Sequence, residues 1–166
     1  PVHVLGAGAL FLQPDLRRKR VLVGLPAGLP CPVRVRIEGT DYSAEGTQET
    51  VVIEMPEIQP WSPDNPKLYM ASCAVHGSDG PDTLQARFGM RECSIKDNRF
   101  QLNNKPVLLR GVVLGATDVS SCQESTGAGT LIKSLKSAGF NFLRVRGAPA
   151  PAPLLDAADE LGFLIC

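Results

Sequence analysis

The sequence predicts an immunoglobulin-like antiparallel β-sandwich followed by an incomplete parallel β/α unit. The first part has short apolar runs separated by Pro, Gly and Asp clusters, at the spacing typical of a sandwich. The second part alternates strand and helix patterns, which indicates parallel strands joined by helical crossovers. We therefore expect a sandwich over residues 1–92, a linker over 93–104 and a parallel β/α unit over 105–166.

The first part shows the alternation of half-buried strands most clearly in Val33-Arg34-Val35-Arg36-Ile37. Every second residue there is apolar, so one face of the strand is expected in the core and the other in solvent. The predicted strands of this part are 20–25, 33–39, 50–55, 68–76 and 84–91. We expect the first 92 residues to form a core that folds alone.

The second part is predicted to begin with a strand at 107–113. A helix capped by Thr130 and ended by Gly139 follows, since Thr caps helices and glycine adopts the left-handed conformation past their ends. The remaining elements are a strand at 140–146, a helix from Pro153 to Gly162 and a strand at 163–166. Because parallel strands are normally covered on both faces, we expect the chain to be part of a longer protein.

Charge and hydropathy argue against several classes of partner. The chain has 17 basic and 17 acidic side chains, so no net field attracts nucleic acid or an anionic membrane. The basic cluster Arg17-Arg18-Lys19-Arg20 is interpreted as a solvated turn. No apolar run approaches the roughly 20 residues of a membrane span. We expect neither a nucleic-acid nor a membrane partner, and the compartment stays open.

Metal and cofactor signals are weak. The five cysteines (Cys31, Cys73, Cys93, Cys122, Cys166) contain no C-x-x-C pair, and we interpret them as reduced, small apolar residues. His3 and His76 have no acidic or cysteine neighbours at ligand spacing, so no metal site is predicted. The glycines of the segment 6–10 lack the third glycine of a dinucleotide fingerprint, and no cofactor is expected.

Five sequence strings occur in register between residues 61 and 165. They are W-S-P-D-N-P-K-L-Y at 61–69, F-G-M-R-E at 88–92, F-Q-L-N-N-K-P-V-L-L-R-G-V at 100–112, L-K-S-A-G-F-N-F-L-R at 135–144 and D-A-A-D-E-L-G-F-L-I at 156–165. Together they resemble the signature strings of family 2 glycoside hydrolases, a group that includes β-galactosidases, β-glucuronidases and β-mannosidases. The resemblance implies that the sandwich leads into a (β/α)8 or TIM barrel, and that residues 105–166 are its N-terminal portion, with the first strands and helices. It also implies hydrolysis of O-glycosidic bonds of β-glycosides by a retaining two-carboxylate mechanism.

The strand ends depart from the pattern of many members. The first barrel strand of the family runs into an Asn and a His, whereas this chain has Val-Leu-Gly-Ala at 113–116. The family's R-x-S-H-Y-P reads R-V-R-G-A-P at 144–149, so Gly147 replaces the histidine. The L-R-V-x-G form is closer to mannosidase-like relatives. These departures leave the fold expectation intact and the sugar open.

No residue of the chain is predicted to be catalytic, because the family's two glutamates lie on later strands. The predicted substrate-binding residues are Arg144, Arg110, Arg146 and Asp118. Arg110 and Arg144 are placed inside strands, where a buried guanidinium needs a carboxylate partner. The alternatives are that these arginines brace the barrel, and that Asp118 is an ordinary polar loop residue.

Two further alternatives stay open, and one prediction concerns self-association. Trp61 either packs in the sandwich, which we favour, or offers a stacking platform for a sugar. The chain is either a fragment of a β-glycosidase whose partner is a carbohydrate substrate, or a non-catalytic carbohydrate- or protein-binding sandwich module. Uncovered strand edges also predict self-association.

Overall fold

The structure is a computed structural model of the chain. It describes residues 10–25, 32–46, 50–77, 80–115 and 117–166. His3, Cys31 and the glycines at positions 6 and 8 lie outside the described residues.

The chain divides into two compact units that do not follow the order of the sequence. The first unit consists of Pro1–Gln59 and Leu68–Glu92, and the second consists of Pro60–Lys67 and Cys93–Cys166. The eight residues Pro60–Lys67 therefore leave the first unit and join the second. This division differs from the expected boundary, which assigns all of residues 1–92 to the sandwich.

The first unit contains two antiparallel sheets. Its described strands are β1 (Phe11–Asp15), β2 (Arg20–Gly24), β3 (Val33–Ile37), β4 (Ser43–Gly46), β5 (Thr50–Glu54), β6 (Tyr69–Gly77) and β7 (Gly80–Phe88). One sheet has the order β1-β2-β5 and the other has the order β4-β3-β6-β7. The apolar faces of both sheets meet in one core, as in a β-sandwich.

Alternation in the sequence predicts the central strands of the sandwich well. Val33 and Val35 are fully buried and Ile37 is 1% exposed, while the intervening arginines are exposed. β1 and β4 were not predicted, because both are edge strands whose side chains are exposed or only half-buried. In the core, burial raises the pKa of the Cys73 thiol to about 11.

The stretch 93–104 is not a linker but part of a three-stranded meander. Its strands are β8 (Cys93–Lys96), β9 (Arg99–Leu102) and β10 (Lys105–Pro106), which pair in the order β10-β9-β8. Each hairpin turns through two residues with positive φ, Asp97-Asn98 in the first and Asn103-Asn104 in the second. Type I′ turns require positive φ at both central residues, and Asn and Asp tolerate it best after glycine. These dipeptides were the overlooked hairpin signal.

The rest of the second unit alternates strands and helices. The elements are β11 (Gly111–Gly115), a short 3-10 helix (Ser120–Gln123), α1 (Ser125–Ser137), β12 (Phe142–Arg146), α2 (Ala152–Leu161) and β13 (Leu164–Ile165). The three strands are parallel and lie in sequential order. Sequential order with right-handed crossovers places both helices on one face of the sheet. Ile132, Leu143, Leu154 and Phe163, each at most 1% exposed, form the core between helices and sheet.

Two predicted element boundaries of this unit were wrong. α1 begins at Ser125, and Thr130 lies in its second turn, where its hydroxyl donates to the Thr126 carbonyl at 2.8 Å instead of capping the helix. β11 begins at Gly111, so Arg110 precedes the strand. The backbone N–H of Arg110 bonds to the Asn141 side chain at 2.7 Å, not to a neighbouring strand. Gly162 ends α2 in the left-handed conformation, as predicted. Within the described ranges, neither helix is long and apolar enough to cross a membrane.

Candidate functional site

The parallel sheet has one covered face and one open face. Side chains of paired residues in a parallel sheet point to the same side, so Val113 of β11 and its partner Arg144 of β12 share a face. Val113 is 59% exposed and Arg144 is exposed. Leu143, which precedes Arg144 on β12 and points to the other face, is fully buried under the helices. Arg144 therefore lies on the face of the sheet opposite to the helices.

Asp118 and Arg146 meet the same residue at the carboxyl end of the sheet. Gly115, the last residue of β11, pairs with Arg146, the last residue of β12. The backbone N–H of Gly115 donates to Oδ2 of Asp118 at 2.7 Å. The structure thus brings Asp118 and Arg146 to the carboxyl edge of the two strands, where active sites of β/α barrels lie. Arg144 lies in the middle of β12, on the same face of the sheet as Arg146.

The loop that carries Asp118 is fixed by buried neighbours. Val119 is 2% exposed and Cys122 is fully buried, and both belong to the core beneath the helices. The N–H of Asp118 returns to the Gly115 carbonyl at 3.1 Å, so the turn after β11 is closed by backbone and side chain together. Asp118 is consequently held in place although its own side chain is exposed.

The guanidinium groups of Arg110 and Arg144, which were expected to be buried, are exposed in this chain. On β12, Arg144 and Arg146 are both exposed. Neither side chain has a hydrogen bond or an ion pair with another described residue. The reason is that the helices cover the other face of the sheet, which leaves Arg144 and Arg146 on the open one. The open face of the sheet therefore presents two cationic groups that are free to bind an anion or the hydroxyl groups of a sugar.

Arg110 lies at the opposite edge of the sheet. It immediately precedes Gly111, the first residue of β11, and its Nε donates to the Gly139 carbonyl at 2.8 Å. Arg110 lines a cavity of about 710 Å³ together with Lys105, Lys136 and Asn141. The structure does not bring it together with the other three predicted residues.

The remaining acidic residues of this unit lie away from the carboxyl edge or at helix positions. Glu124 is the N-cap residue of α1, where its side chain makes no capping bond. Asp156 and Glu160 are exposed on α2, and Asp159 is half-buried there. Among the described residues, no three His, Cys, Asp or Glu side chains form a group that could hold a metal ion.

Trp61 was expected in the sandwich and instead belongs to the second unit. Its side chain is fully buried, and the indole Nε1 donates to the Asp159 carbonyl of α2 at 2.8 Å. A tryptophan without exposed surface cannot stack on a sugar, so the platform alternative is also wrong. Its sequence neighbours are sandwich strands, which explains why sequence reasoning misplaced it.

The backbone conformation of Gly147 explains why this position does not hold the histidine of the family's R-x-S-H-Y-P string. It follows β12 with φ of 88°, in the left-handed region that L side chains rarely adopt. A histidine at this position would be strained in the same backbone. The loop after β12 is therefore built for a glycine.

The basic cluster of the sandwich forms a turn, as interpreted from the sequence. Lys19 has φ of 51°, and Asp15 accepts the backbone N–H of Arg18 at 3.2 Å and Nε of Arg20 at 3.2 Å. The backbone N–H of Arg18, helped by the Arg20 side chain, lowers the pKa of Asp15 below its ordinary value. Internal pairing thus satisfies much of the charge of this turn.

Sequence reasoning missed the residue at the centre of the candidate site. Gly115 joins Arg146 through strand pairing and Asp118 through a hydrogen bond. A Cβ on Gly115 would lie 3.4 Å from Oδ2 of Asp118, which is a tight contact. The only signal was a glycine at a strand end followed three residues later by an aspartate.

A family model matches part of the chain, and curated relatives match most of it. The model of glycosyl hydrolases family 2 matches residues 33–91. A relative from Formosa agariphila is 30% identical and matches 99% of this chain but 18% of its own length. A β-galactosidase from an Arthrobacter species is 27% identical over 84% of this chain and 14% of the relative. The chain thus spans about a sixth of the length of these curated relatives.

Solved structures match almost the whole chain. A glycosyl hydrolase family 2 member from Bacteroides cellulosilyticus superposes with a TM-score of 0.79 at 24% identity, covering 95% of this chain and 25% of that one. A β-glucuronidase from Ruminococcus gnavus in complex with D-glucuronic acid gives a TM-score of 0.75 at 21% identity, covering 95% and 28%. These likenesses concern the fold.

Proposed function

Because the chain belongs to glycosyl hydrolases family 2, we propose that it is a segment of a β-glycosidase that hydrolyses O-glycosidic bonds. The observation that carries the proposal is the 30% identity to one relative across 99% of the chain, which spans both structural units. Relatives include a β-galactosidase and a β-glucuronidase, so the proposed substrate is a β-glycoside whose sugar is left open.

We further propose that β11, β12 and β13 are the first three strands of a (β/α)8 barrel. Their sequential parallel order supports this, because a singly wound sheet keeps its helices on one face and can close on itself. In a closed barrel the open face of the sheet would become the interior. Arg144 and Val113 would then point inward.

The proposed roles of the four predicted residues follow from their edges of the sheet. Arg144 and Arg146 would bind the substrate or balance the charge of catalytic carboxylates at the carboxyl edge. Asp118 would position the loop after β11 beside Arg146 through its bond to Gly115. Arg110 would hold the amino-terminal edge together through its bond to the Gly139 carbonyl, a structural role.

The catalytic carboxylates are proposed to lie in a part of the polypeptide outside this chain. A retaining glycosidase needs two carboxyl groups about 5–5.5 Å apart, one as acid/base and one as nucleophile. Asp118 uses one carboxylate oxygen for the Gly115 N–H, and Asp156 and Glu160 are on α2. We therefore assign Asp118 a positioning role and place both catalytic carboxyl groups outside this chain.

The first experiment assays the chain itself. Purified chain is incubated with chromogenic β-galactoside, β-glucuronide and β-mannoside, and we expect no turnover above that of a heat-denatured sample. Hydrolysis that persists through repurification and is abolished by Asp118→Asn would place a catalytic carboxylate in this chain and overturn the proposal.

The second experiment uses a longer polypeptide that continues past Cys166 in the same gene. We expect it to hydrolyse at least one of these glycosides, and Arg144→Ala to lower kcat/KM by about 10²-fold or more through lost electrostatic stabilisation. Arg110→Ala is the matched control and should change kcat/KM by less than about 3-fold. An inactive longer polypeptide that binds sugar or protein would favour the non-catalytic module instead.

A further inference from the structure

We infer that Pro60–Lys67 is a strap without which the second unit does not fold, so that the β/α unit is a discontinuous domain. In the sequence the strap stands between strands β5 and β6 of the sandwich. In the structure it makes hydrogen bonds with α1, α2 and the meander, all of which belong to the second unit.

Trp61 anchors the strap. Its side chain is fully buried, and its indole N–H donates to the Asp159 carbonyl at 2.8 Å. Its own carbonyl accepts Nδ2 of Asn103 at 2.9 Å, in the second turn of the meander. A buried tryptophan contributes one of the largest apolar areas a side chain can offer, and its N–H is satisfied here as burial requires.

The strap then turns back at Pro63. Ser62 and Asn65 bond to each other through both backbone groups, at 2.9 and 3.1 Å, around Pro63-Asp64. Proline and aspartate favour the central positions of such a turn. The turn places the Pro63 carbonyl within hydrogen-bonding distance of the Lys136 side chain of α1.

Lys136 ties the strap to both helices. Its ammonium group, on the last turn of α1, donates to the carbonyls of Leu161 and Gly162 at the end of α2, and to the Pro63 carbonyl at 3.3 Å. The last carbonyls of a helix lack intrahelical partners and carry partial negative charge, so a cation binds there favourably. One side chain therefore satisfies the end of α2 and holds the strap beside it.

Gly162 is required at this contact for two independent reasons. Its φ of 70° is the left-handed conformation that terminates α2. In addition, a Cβ at this position would overlap the Pro63 carbonyl oxygen and lie 2.9 Å from the Pro63 carbonyl carbon. The backbone of α2 thus approaches the backbone of the strap so closely that only glycine fits.

The full chain tests this inference with probes that it already contains. Trp61 is the single tryptophan, and both described α-helices belong to the second unit. Among the described residues, each unit holds one fully buried cysteine, Cys73 in the first and Cys122 in the second. Tryptophan fluorescence and helical far-UV ellipticity should lose their native signals in one coincident transition in urea. The rate of thiol labelling at each cysteine, measured by peptide mass spectrometry, reports the opening of its own unit.

Gly162→Ala is the main variant, and Gly139→Ala is its matched control. Gly139 has φ of 84°, and a Cβ added there would meet nothing within 4 Å, so its substitution imposes the same backbone strain without touching the strap. We expect the Cys122 thiol to be labelled at least about 10-fold faster in Gly162→Ala than in Gly139→Ala. The labelling rate of Cys73 should differ by less than about 2-fold between the two variants. Equal Cys122 rates in the two variants would overturn the inference.

Trp61→Phe keeps the test decisive if Gly162→Ala fails to fold. It retains an aromatic ring and removes the N–H that bonds to the Asp159 carbonyl. We expect faster labelling of Cys122 and an unchanged rate for Cys73. Faster labelling of Cys73 alone would return the strap to the sandwich and refute the inference.

Discussion

The two units reach stability by different means. The sandwich packs the apolar faces of two sheets against each other, so its core closes with residues that alternate along its own strands. The β/α unit covers only one face of its sheet with helices and leaves Val113 and Arg144 on the other. It also takes in Pro60–Lys67 from another part of the chain. The comparison teaches that a contiguous sequence pattern identified the sandwich, whereas the boundary of the β/α unit depends on contacts remote in sequence.

The largest effect is expected from cavities cut into each core. Ile53→Ala in the sandwich and Ile132→Ala in the β/α unit should each lower the free energy of unfolding by about 2–5 kcal/mol, since both side chains are almost fully buried. Each variant should accelerate thiol labelling mainly in its own unit, at Cys73 or at Cys122 respectively.

Val52→Ala serves as the control for these cavities, because Val52 is 39% exposed on the neighbouring position of β5. Its cost in unfolding free energy should stay below about 1 kcal/mol. If Ile53→Ala opened both cysteines equally, the two units would behave as one cooperative body, and the contrast between them would fail.

A smaller effect is expected at the meander, which belongs to the β/α unit. Asn104 has φ of 63°, so Asn104→Ala should lower stability by about 1 kcal/mol, while Asn104→Gly should not. The stability of both variants is measured by urea denaturation, with the helical far-UV ellipticity as the signal. A loss of the same size in the two variants would show that the Asn104 side chain, and not the backbone conformation, matters.

The smallest effect concerns the acid stability of the sandwich. The pKa of Asp15 is lowered from 3.8, mainly by the backbone N–H of Arg18. A carboxylate with a lowered pKa in the folded state stabilises above its ordinary pKa, and the contribution is lost as pH falls below 3.8 through the folded value. In the Asp15→Asn variant, the urea midpoint of the sandwich should therefore change less between about pH 5 and pH 2 than it does in the unaltered chain. The midpoint is read from the accessibility of the Cys73 thiol after neutralisation. An unchanged pH profile would exclude this carboxylate as a source of acid sensitivity.

The pattern of apolar residues was enough to predict several strands of the sandwich. β2, β3 and β5 begin where the pattern predicts, and Gly162 ends α2 as glycine should. The predicted linker was wrong, because Asp97-Asn98 and Asn103-Asn104 are turn residues and not a flexible connection. Among the site residues, the sequence named Arg144, Arg146 and Asp118 but not Gly115, which strand pairing joins to Arg146 and a hydrogen bond joins to Asp118.

The sequence by itself determined the buried face of strands such as β3 and the alternation of strands and helices in the second part, because periods of 2 and 3.6 residues are local properties of the backbone. Only the tertiary structure decided that Arg110 and Arg146 stand at opposite edges of the sheet, and that Trp61 lies against α2 and not within the sandwich. Those outcomes depend on the register between strands and on close approaches such as that of Gly162 to Pro63. Such approaches join residues about a hundred positions apart, beyond the reach of any local pattern.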